Sequence, residues 1–303
     1  MSRGEKLKQK IVIFGAGQAG IAALINLRGK YQPVAFCDND ANKVGTQLQS
    51  LPIISPQQLQ STKYDLLMIA SEYFEQIQQQ LEGDFAIPCE RIKVLSASQI
   101  KSFHFGDSQS AKDKAEQILF ILCNVFKSCD IKYHIDAGTL LGIYRDNALI
   151  PWDDDLDFAV PSDMLDKIRI NEQQILSALQ SVTQTSWKCT ELFAENDFGL
   201  VKRGASRSFK LEAIGTSRAL PLIDFFVKYL GETTMDYVIS SRGFSMPSEH
   251  MRSVDTYTFK GHQLCVPSRV ETYLSNHYGD WQTPNPNWTL EHIKSATVFE
   301  ASN

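Results

Sequence analysis

The chain has 303 residues, 43% of them hydrophobic and 21% charged, with 30 Lys and Arg against 35 Asp and Glu. This composition excludes a disordered chain, and the length suits about two domains at roughly 150 residues each. The formal net charge of −5 excludes the broad basic face that a grip on nucleic acid needs, while a nucleotide-sized ligand stays compatible with it.

The first residues, MSRGEKLKQK before IVIFGAG, imitate the basic and apolar parts of a signal peptide. The apolar run breaks at once at Gly15, Gly17, Gln18 and Gly20, so a strand followed by a glycine turn fits better. No stretch approaches the roughly 18 apolar residues of a membrane span; the best, ILFILCNVF, is short and holds Asn124. The expectation is a cytoplasmic protein without a transmembrane segment, with peripheral contact to a membrane surface left open. Cys37, Cys89, Cys123, Cys129, Cys189 and Cys265 are scattered without a C-x-x-C pair. They read as buried free thiols, not as a zinc template or disulfide frame.

Short apolar runs alternate with helical ones over the first hundred residues. IVIFGAG reads as a buried strand, QAGIAALINLRGKY as a helix, PVAFCD and DLLMIAS as strands, and EYFEQIQQQLEG as a helix. Ser55, Pro56 and Gln58 form a capping box with proline at the first position, which starts a short helix after LPIIS. This rhythm predicts an α/β, Rossmann-like parallel sheet over residues 1–98. It stops in SASQIKSFHFGDSQSAKD, residues 96–113, where the chain turns polar and the domain boundary is expected.

Residues 99–303 read as an α+β domain. Ala115, Ile118, Leu119, Leu122, Val125 and Phe126 recur at helical spacing. IKYHIDAG predicts a strand entering a glycine turn, and LDFAVP a strand ended by Pro161. Ser162 and Asp163 start a helix through MLDKIRINEQQILSALQ. FGLVKRG, FKLEAIG and LIDFFVKYL read as strands, and a Ser268-x-x-Glu271 capping box opens a helix that Gly279 stops.

GAGQAG places Gly15, Gly17 and Gly20 between a strand and a helix, with Asp38 at the end of the next strand. That is the pattern of a dinucleotide fingerprint: a tight turn, a helix N-terminus for a diphosphate, and an acid for a ribose. A turn that only packs strand on helix is an equal reading. No Tyr-x-x-x-Lys pair follows to support hydride transfer. Residues 10–95, through VIFGAGQAG, VAFCDNDANKVGTQLQSLPIISPQQL and YDLLMIAS, resemble a small Rossmann-like module of bacterial polysaccharide-biosynthesis proteins. The resemblance implies a sugar-nucleotide or regulatory role.

IPWDDDLDF crowds Asp153, Asp154, Asp155 and Asp157 together among apolar residues. Burying such carboxylates without a counter-charge costs several kcal/mol each, on the order expected for unpaired ions. On a strand Asp155 and Asp157 share one face while Leu156 and Phe158 take the other. Two oxygen ligands on one face suit Mg²⁺ or Mn²⁺ bound together with substrate phosphates. A solvated acidic turn is the plainer reading of a lone D-x-D, but Gly138 and Thr139 precede it and Asp224 lies in the apolar LIDFFV. A Gly-Thr turn, a D-x-D strand and a third aspartate on a neighbouring strand form the constellation of the nucleotidyltransferase fold.

HIDAGTLLGIYRDNALIPWDDDLDFAVP closely resembles the core motif of the LicD/fukutin family, and VPSRVETYLSNHYGDWQTP its closing motif. With PLIDFFVKY between them, the resemblance runs over residues 114–286. Ala137 departs from the glycine expected before Gly138. The resemblance implies transfer of a phosphorylated alcohol, such as phosphocholine or ribitol phosphate, from a CDP-alcohol donor to a glycan acceptor, releasing CMP. It implies metal on Asp155, Asp157 and Asp224, an acceptor base in Asp224 or Asp153, and donor contacts from Gly138, Thr139 and Asp154. Arg145 is a candidate for donating hydrogen bonds to a phosphate oxygen or an ion-pair partner of an aspartate; Lys202, Arg203 and Lys210 are weaker phosphate candidates. Trp152 reads as a wedge of the turn or a base-stacking residue, His134 as a structural histidine, and Tyr278, Gly279, Asp280 and Trp281 as a helix stop packed by aromatics. Acceptor recognition is expected in the weakly patterned residues 181–220. The competing classes are an NAD(P)-dependent oxidoreductase and a non-catalytic sugar-nucleotide-binding protein.

Overall fold

The computed structural model describes residues 8–101, 103–215, 220–240, 242–286, 288, 292–293 and 296–299, so the basic N-terminal residues 1–7 and residues 216–219 of the acceptor-recognition stretch lie outside the described residues. Two units emerge, residues 1–102 with 286–289 and 300–303, and residues 103–285 with 290–299.

In the first unit the alternating apolar runs become β1 (Lys10–Phe14), α1 (Gln18–Leu27), β2 (Gln32–Cys37), β3 (Gln47–Leu48), β4 (Leu51–Ile54), β5 (Leu66–Ile69), α2 (Phe74–Gly83) and β6 (Ile92–Val94). The sheet order is β3-β4-β2-β1-β5-β6, with every neighbour parallel except the short β3. Ile11, Ile13, Leu24, Leu27, Phe36 and Met68 share one buried cluster, as strands buried on both faces of a parallel sheet require. Pro56–Gln60 forms a single 3₁₀ turn, started by the Ser55 capping box in which the Ser55 N–H donates to Gln58 Oε1 at 2.8 Å.

The second unit contains α3 (Gln109–Ser128), β7 (His134–Ile135), α4 (Ala137–Asp146), β8 (Asp155–Pro161), α5 (Leu165–Ile170), α6 (Glu172–Thr183), β9 (Trp187–Phe193), β10 (Ser206–Ala213), β11 (Leu222–Leu230), β12 (Thr234–Ile239), β13 (Arg242–Pro247), α7 (Glu249–Arg252), β14 (Val254–Phe259), β15 (His262–Pro267), α8 (Val270–Tyr278) and β16 (Thr297–Val298). Its mixed sheet runs β16-β13-β12-β11-β10-β9, with β8 parallel to β11 and β7 antiparallel to β8; β14 and β15 pair separately. Leu156, Phe158, Val160, Ile223, Phe225 and Val227 are buried on one side of β8 and β11. Phe126 of α3 packs edge-on against Phe158 and Phe225, at centroid separations of 5.4 and 5.0 Å. The alternate residues, Asp155, Asp157, Asp224 and Lys228, take the opposite face.

Several expectations change. The IKYHIDAG strand shrinks to two residues, and Gly138 and Thr139 lie in the first turn of α4, not in a loop. The helix expected from Ser162 opens with a 3₁₀ turn at Ser162–Met164 and divides at Asn171. There the Asn171 side-chain amide and backbone N–H both donate to Lys167 O, at 2.8 and 3.1 Å, closing the first segment. FGLVKRG is a turn with one reciprocal Phe198–Val201 pair, braced by Asp236, whose Oδ2 accepts from the Leu200 N–H at 2.9 Å. Ser268 does not cap α8: its hydroxyl donates to Glu249 O at 2.7 Å, and left-handed Arg269 holds the cap position. Gly279, at φ 67°, does end that helix. All six cysteines are free thiols, but only Cys37 and Cys123 are buried, and Cys89 is exposed.

Candidate active site

Parallel pairing of β8 with β11 puts Asp157 opposite Asp224 and Asp155 opposite Leu222. One carboxylate oxygen from each of Asp155, Asp157 and Asp224 lies within 4.8 Å of the others, and Asp157 and Asp224 are buried. Asp153, Asp154 and Asp155 form a second, half-buried trio by the same measure. An all-carboxylate donor set of this spacing fits a hard divalent cation such as Mg²⁺ or Mn²⁺.

The start of α4 supports this group. Asp136 N–H donates to Asp157 O at 2.9 Å, and Thr139 Oγ1 accepts from Asp157 N–H at 2.9 Å. Thr139 thus spends its hydroxyl lone pair on the D-x-D strand, deep in the protein. Gly138 has a steric reason: a Cβ there would meet Asp153 Oδ2 at 2.2 Å and Asp157 Oδ2 at 3.7 Å. The helix N-terminus is faced by carboxylates, which its partial positive charge stabilises.

Lys210 pairs with Asp224 across β10 and β11, its Nζ 3.8 Å from Asp224 Oδ2. Arg145 does not pair with an aspartate of the cluster. Its guanidinium is bonded to its neighbour Asp146, at 2.7 Å from Nη2, and to Trp281 O at 3.3 Å. Lys202 and Arg203 occupy the 197–203 turn, where both engage Asp197. Trp152 is half-buried beside the cluster's chain segment. The phenol of Tyr278 is pushed well above its ordinary value, first by burial and then by the charges of Asp157, Asp136 and Asp153. That residue read from sequence as packing, yet it lies within electrostatic reach of the carboxylates.

A buried polar layer on the same sheet face escaped the sequence reading. Asp136 Oδ2 is 2.9 Å from Lys228 Nζ, with the lysine side chain fully buried. Tyr273 Oη donates to Asp136 Oδ1 at 2.5 Å, and the Lys228 ammonium lies 3.1 Å from the Tyr237 ring centroid. Burial disfavours the charge on Asp136, but Lys228, then His134 and the Tyr273 hydroxyl outweigh it and hold the carboxyl well below the usual range. For Lys228 burial outweighs the attraction of Asp136 and shifts the ammonium down. The two groups make an ion-pair contact of 2.9 Å. His134, with Nδ1 2.8 Å from Ile135 O, and His277, with Nδ1 3.2 Å from Tyr237 Oη, are both lowered to about 4, chiefly by burial. The Lys228 signal was visible in principle: it follows Asp224 by four residues in an apolar strand, so both share a face.

In the first unit the glycine turn is built as expected, with packing reasons for two glycines. Gly15 has φ +113° and a Cβ there would meet Ala70 O at 2.6 Å; at Gly20 it would meet Gly15 O at 1.9 Å. Gly17 has open space. Asp38 turns into the loop: Oδ2 accepts from Ala16 N–H at 2.8 Å and pairs with Lys43 Nζ at 3.1 Å, while Oδ1 accepts from Asp40 N–H at 2.9 Å. These bonds outweigh burial and lower its carboxyl below the ordinary value. Among the described residues no helix is long and apolar enough to cross a membrane.

Two family models match separate stretches of the chain. Residues 7–105 match the family model described as C2185-like, N-terminal. A protein of Rickettsia typhi described as uncharacterized is 33% identical over 86 residues, 28% of this chain and 26% of that protein. One of Rickettsia prowazekii, described likewise, is 32% identical over 91 residues, 30% of this chain and 32% of that protein. The match thus spans a third or less of these relatives' length. Among solved structures, UDP-D-quinovosamine 4-dehydrogenase from Vibrio fischeri aligns at 26% identity and TM-score 0.24 over 29% of this chain and 75% of that one. An oxidoreductase from Thermotoga maritima aligns at 10% identity and TM-score 0.26 over 96% and 98%. Superpositions this loose carry no argument about activity. Residues 130–269 match the model described as LicD/FKTN/FKRP, nucleotidyltransferase domain, a span that holds the aspartates of the D-x-D strand and Asp224, so this part of the chain is similar to that family and the N-terminal part to the C2185-like one.

Proposed function

We propose that the C-terminal domain expected over residues 99–303 is a metal-dependent phosphotransferase of nucleotidyltransferase fold. It would move a phosphorylated alcohol, such as phosphocholine or ribitol phosphate, from a CDP-linked donor to a glycan hydroxyl, releasing CMP, in cytoplasmic steps of cell-surface polysaccharide or lipopolysaccharide assembly. The observation that carries the reading is the Asp155, Asp157 and Asp224 trio within 4.8 Å, lying inside the family domain at residues 130–269.

Mg²⁺ or Mn²⁺ on these three carboxylates would supply charge neutralisation for the donor diphosphate. In the transfer the acceptor oxygen forms a bond to the phosphorus that carries the alcohol. The P–O bond to CMP breaks, and the electron pair leaves with CMP. Asp153, outside the proposed metal trio, is taken as the base for the acceptor proton, because a carboxylate engaged by the cation is a poor proton acceptor. In this reading Lys210 would meet a donor phosphate oxygen, and the α4 N-terminus with Gly138 and Thr139 would stabilise negative charge beside it. Asp154 and Trp152 are proposed as further contacts to the donor.

The glycine turn of the first unit, with Gly15, Gly17, Gly20 and Asp38, is proposed to serve packing and not hydride transfer, since Asp38 closes its own loop and pairs with Lys43. The test is CMP release from CDP-choline, CDP-ethanolamine, CDP-ribitol and CDP-glycerol with Mg²⁺, Mn²⁺ or EDTA. One donor should yield metal-dependent CMP that EDTA and Asp155→Asn abolish. Turnover of none, with tight NAD(P) binding instead, would overturn the reading.

A further inference from the structure

We infer that Asp136 and Lys228 are positioning residues for the carboxylate trio, an inference that rests on the metal reading above. Two independent grips define Asp157. Its carbonyl accepts from Asp136 N–H and its N–H donates to Thr139 Oγ1, both at 2.9 Å. The segment that makes both grips is itself tied down by the Asp136 carboxylate, which binds Lys228 Nζ at 2.9 Å and Tyr273 Oη at 2.5 Å. Lys228 belongs to β11, the strand of Asp224, and faces the same way. One buried ion pair therefore links the segment that clamps Asp157 to the strand that presents Asp224. The spacing between those two carboxylates is what a cation in the trio needs.

Stability alone is a poor account of this pair. Buried ion pairs are often no more stabilising than apolar residues of the same volume, and in some proteins they are retained because they fix geometry. Outer residues that orient ligands typically cost 10–100-fold in metal affinity when removed, roughly the size expected here.

The test is Mn²⁺ binding by calorimetry on the full chain, with melting temperature measured in parallel, for wild type, Asp157→Asn, Asp136→Asn/Lys228→Met and Tyr273→Phe. The double variant removes one charge of each sign, so its effect on the cluster reports geometry and not net charge. It should bind Mn²⁺ about 10-fold more weakly or worse, and Tyr273→Phe, losing only a hydroxyl, about 3-fold more weakly. Unchanged Mn²⁺ affinity in the double variant, whatever its melting temperature, would overturn the inference. Should the double variant fail to fold, Tyr273→Phe decides: weakened binding supports the positioning role, and wild-type binding overturns it. Wild-type protein that takes up no Mn²⁺, or Asp157→Asn that binds it as well as wild type, would overturn the metal reading and this inference with it. Binding by wild type that the double variant matches would overturn this inference alone.

Discussion

Gly138→Ala separates folding from site geometry. The added Cβ would lie 2.2 Å from Asp153 Oδ2, while ordinary contact begins at 3.4 Å, so that carboxylate must retreat by 1.2 Å. Its obstacle is the end of a rotatable side chain, and rotating it costs about 0.5–1.5 kcal/mol. Alanine in a helix gains back roughly 0.5–1 kcal/mol over glycine. The two terms cancel to within about 1 kcal/mol, so the melting temperature should shift by only a few degrees, on the order given for domains of this size. The active site has no such compensation. A misplacement of about 1 Å can cost on the order of 10²-fold in rate, and Asp153 is the proposed base. CMP release by Gly138→Ala, compared with its thermal melt, checks this. A variant with wild-type turnover would refute the role of Asp153, and one that melts far lower would refute the claim that the clash is relieved by rotation.

Thr139→Val should destabilise by about 1–3 kcal/mol, because it strands the buried Asp157 N–H, and Thr139→Ser should restore most of that loss in a urea titration. His134 and His277 are neutral in the fold, with values lowered from 6.5 to about 4. The unfolded chain binds more protons there, so their contribution is complete above 6.5 and is lost as pH falls toward about 4. Each supplies on the order of 3 kcal/mol, a slope of about 1.4 kcal/mol per pH unit; urea midpoints at pH 7 and 4.5 measure it, and a flat profile would contradict it. Lys210→Met should raise KM for the CDP-alcohol more than it lowers kcat, because the ammonium is offered to the bound diphosphate; steady-state kinetics separates the two.

The residues that carry the proposed chemistry were legible because short-range rules govern them. Alternation along β8 put Asp155 and Asp157 on one face, and the apolar run of β11 marked Asp224 as buried. The strand–helix rhythm and the Ser55 box likewise expressed local preferences. What stayed hidden depends on distant partners. Tyr273 meets Asp136 across 137 residues, and Leu200 reaches Asp236 across 36. β9 reads poorly because it is the edge strand of the sheet and alternates only loosely between inside and outside. Gly138 and Thr139 read as a turn because glycine suggests one, but they open a helix and the glycine is there to admit Asp153. For Arg145, phosphate and an aspartate pair were both open; the aspartate is its neighbour Asp146, and the second hold, Trp281 O, lies 136 residues away.

The central claim is that a cation on the aspartate trio supports transfer from a CDP-alcohol. The most direct measurement is the rate of CMP release at saturating Mg²⁺ for Asp157→Asn against wild type, with both proteins shown to melt alike. A loss of about 10²-fold or more is the result the account predicts, the size of the charge stabilisation a catalytic metal supplies. Equal rates in the two proteins would contradict it.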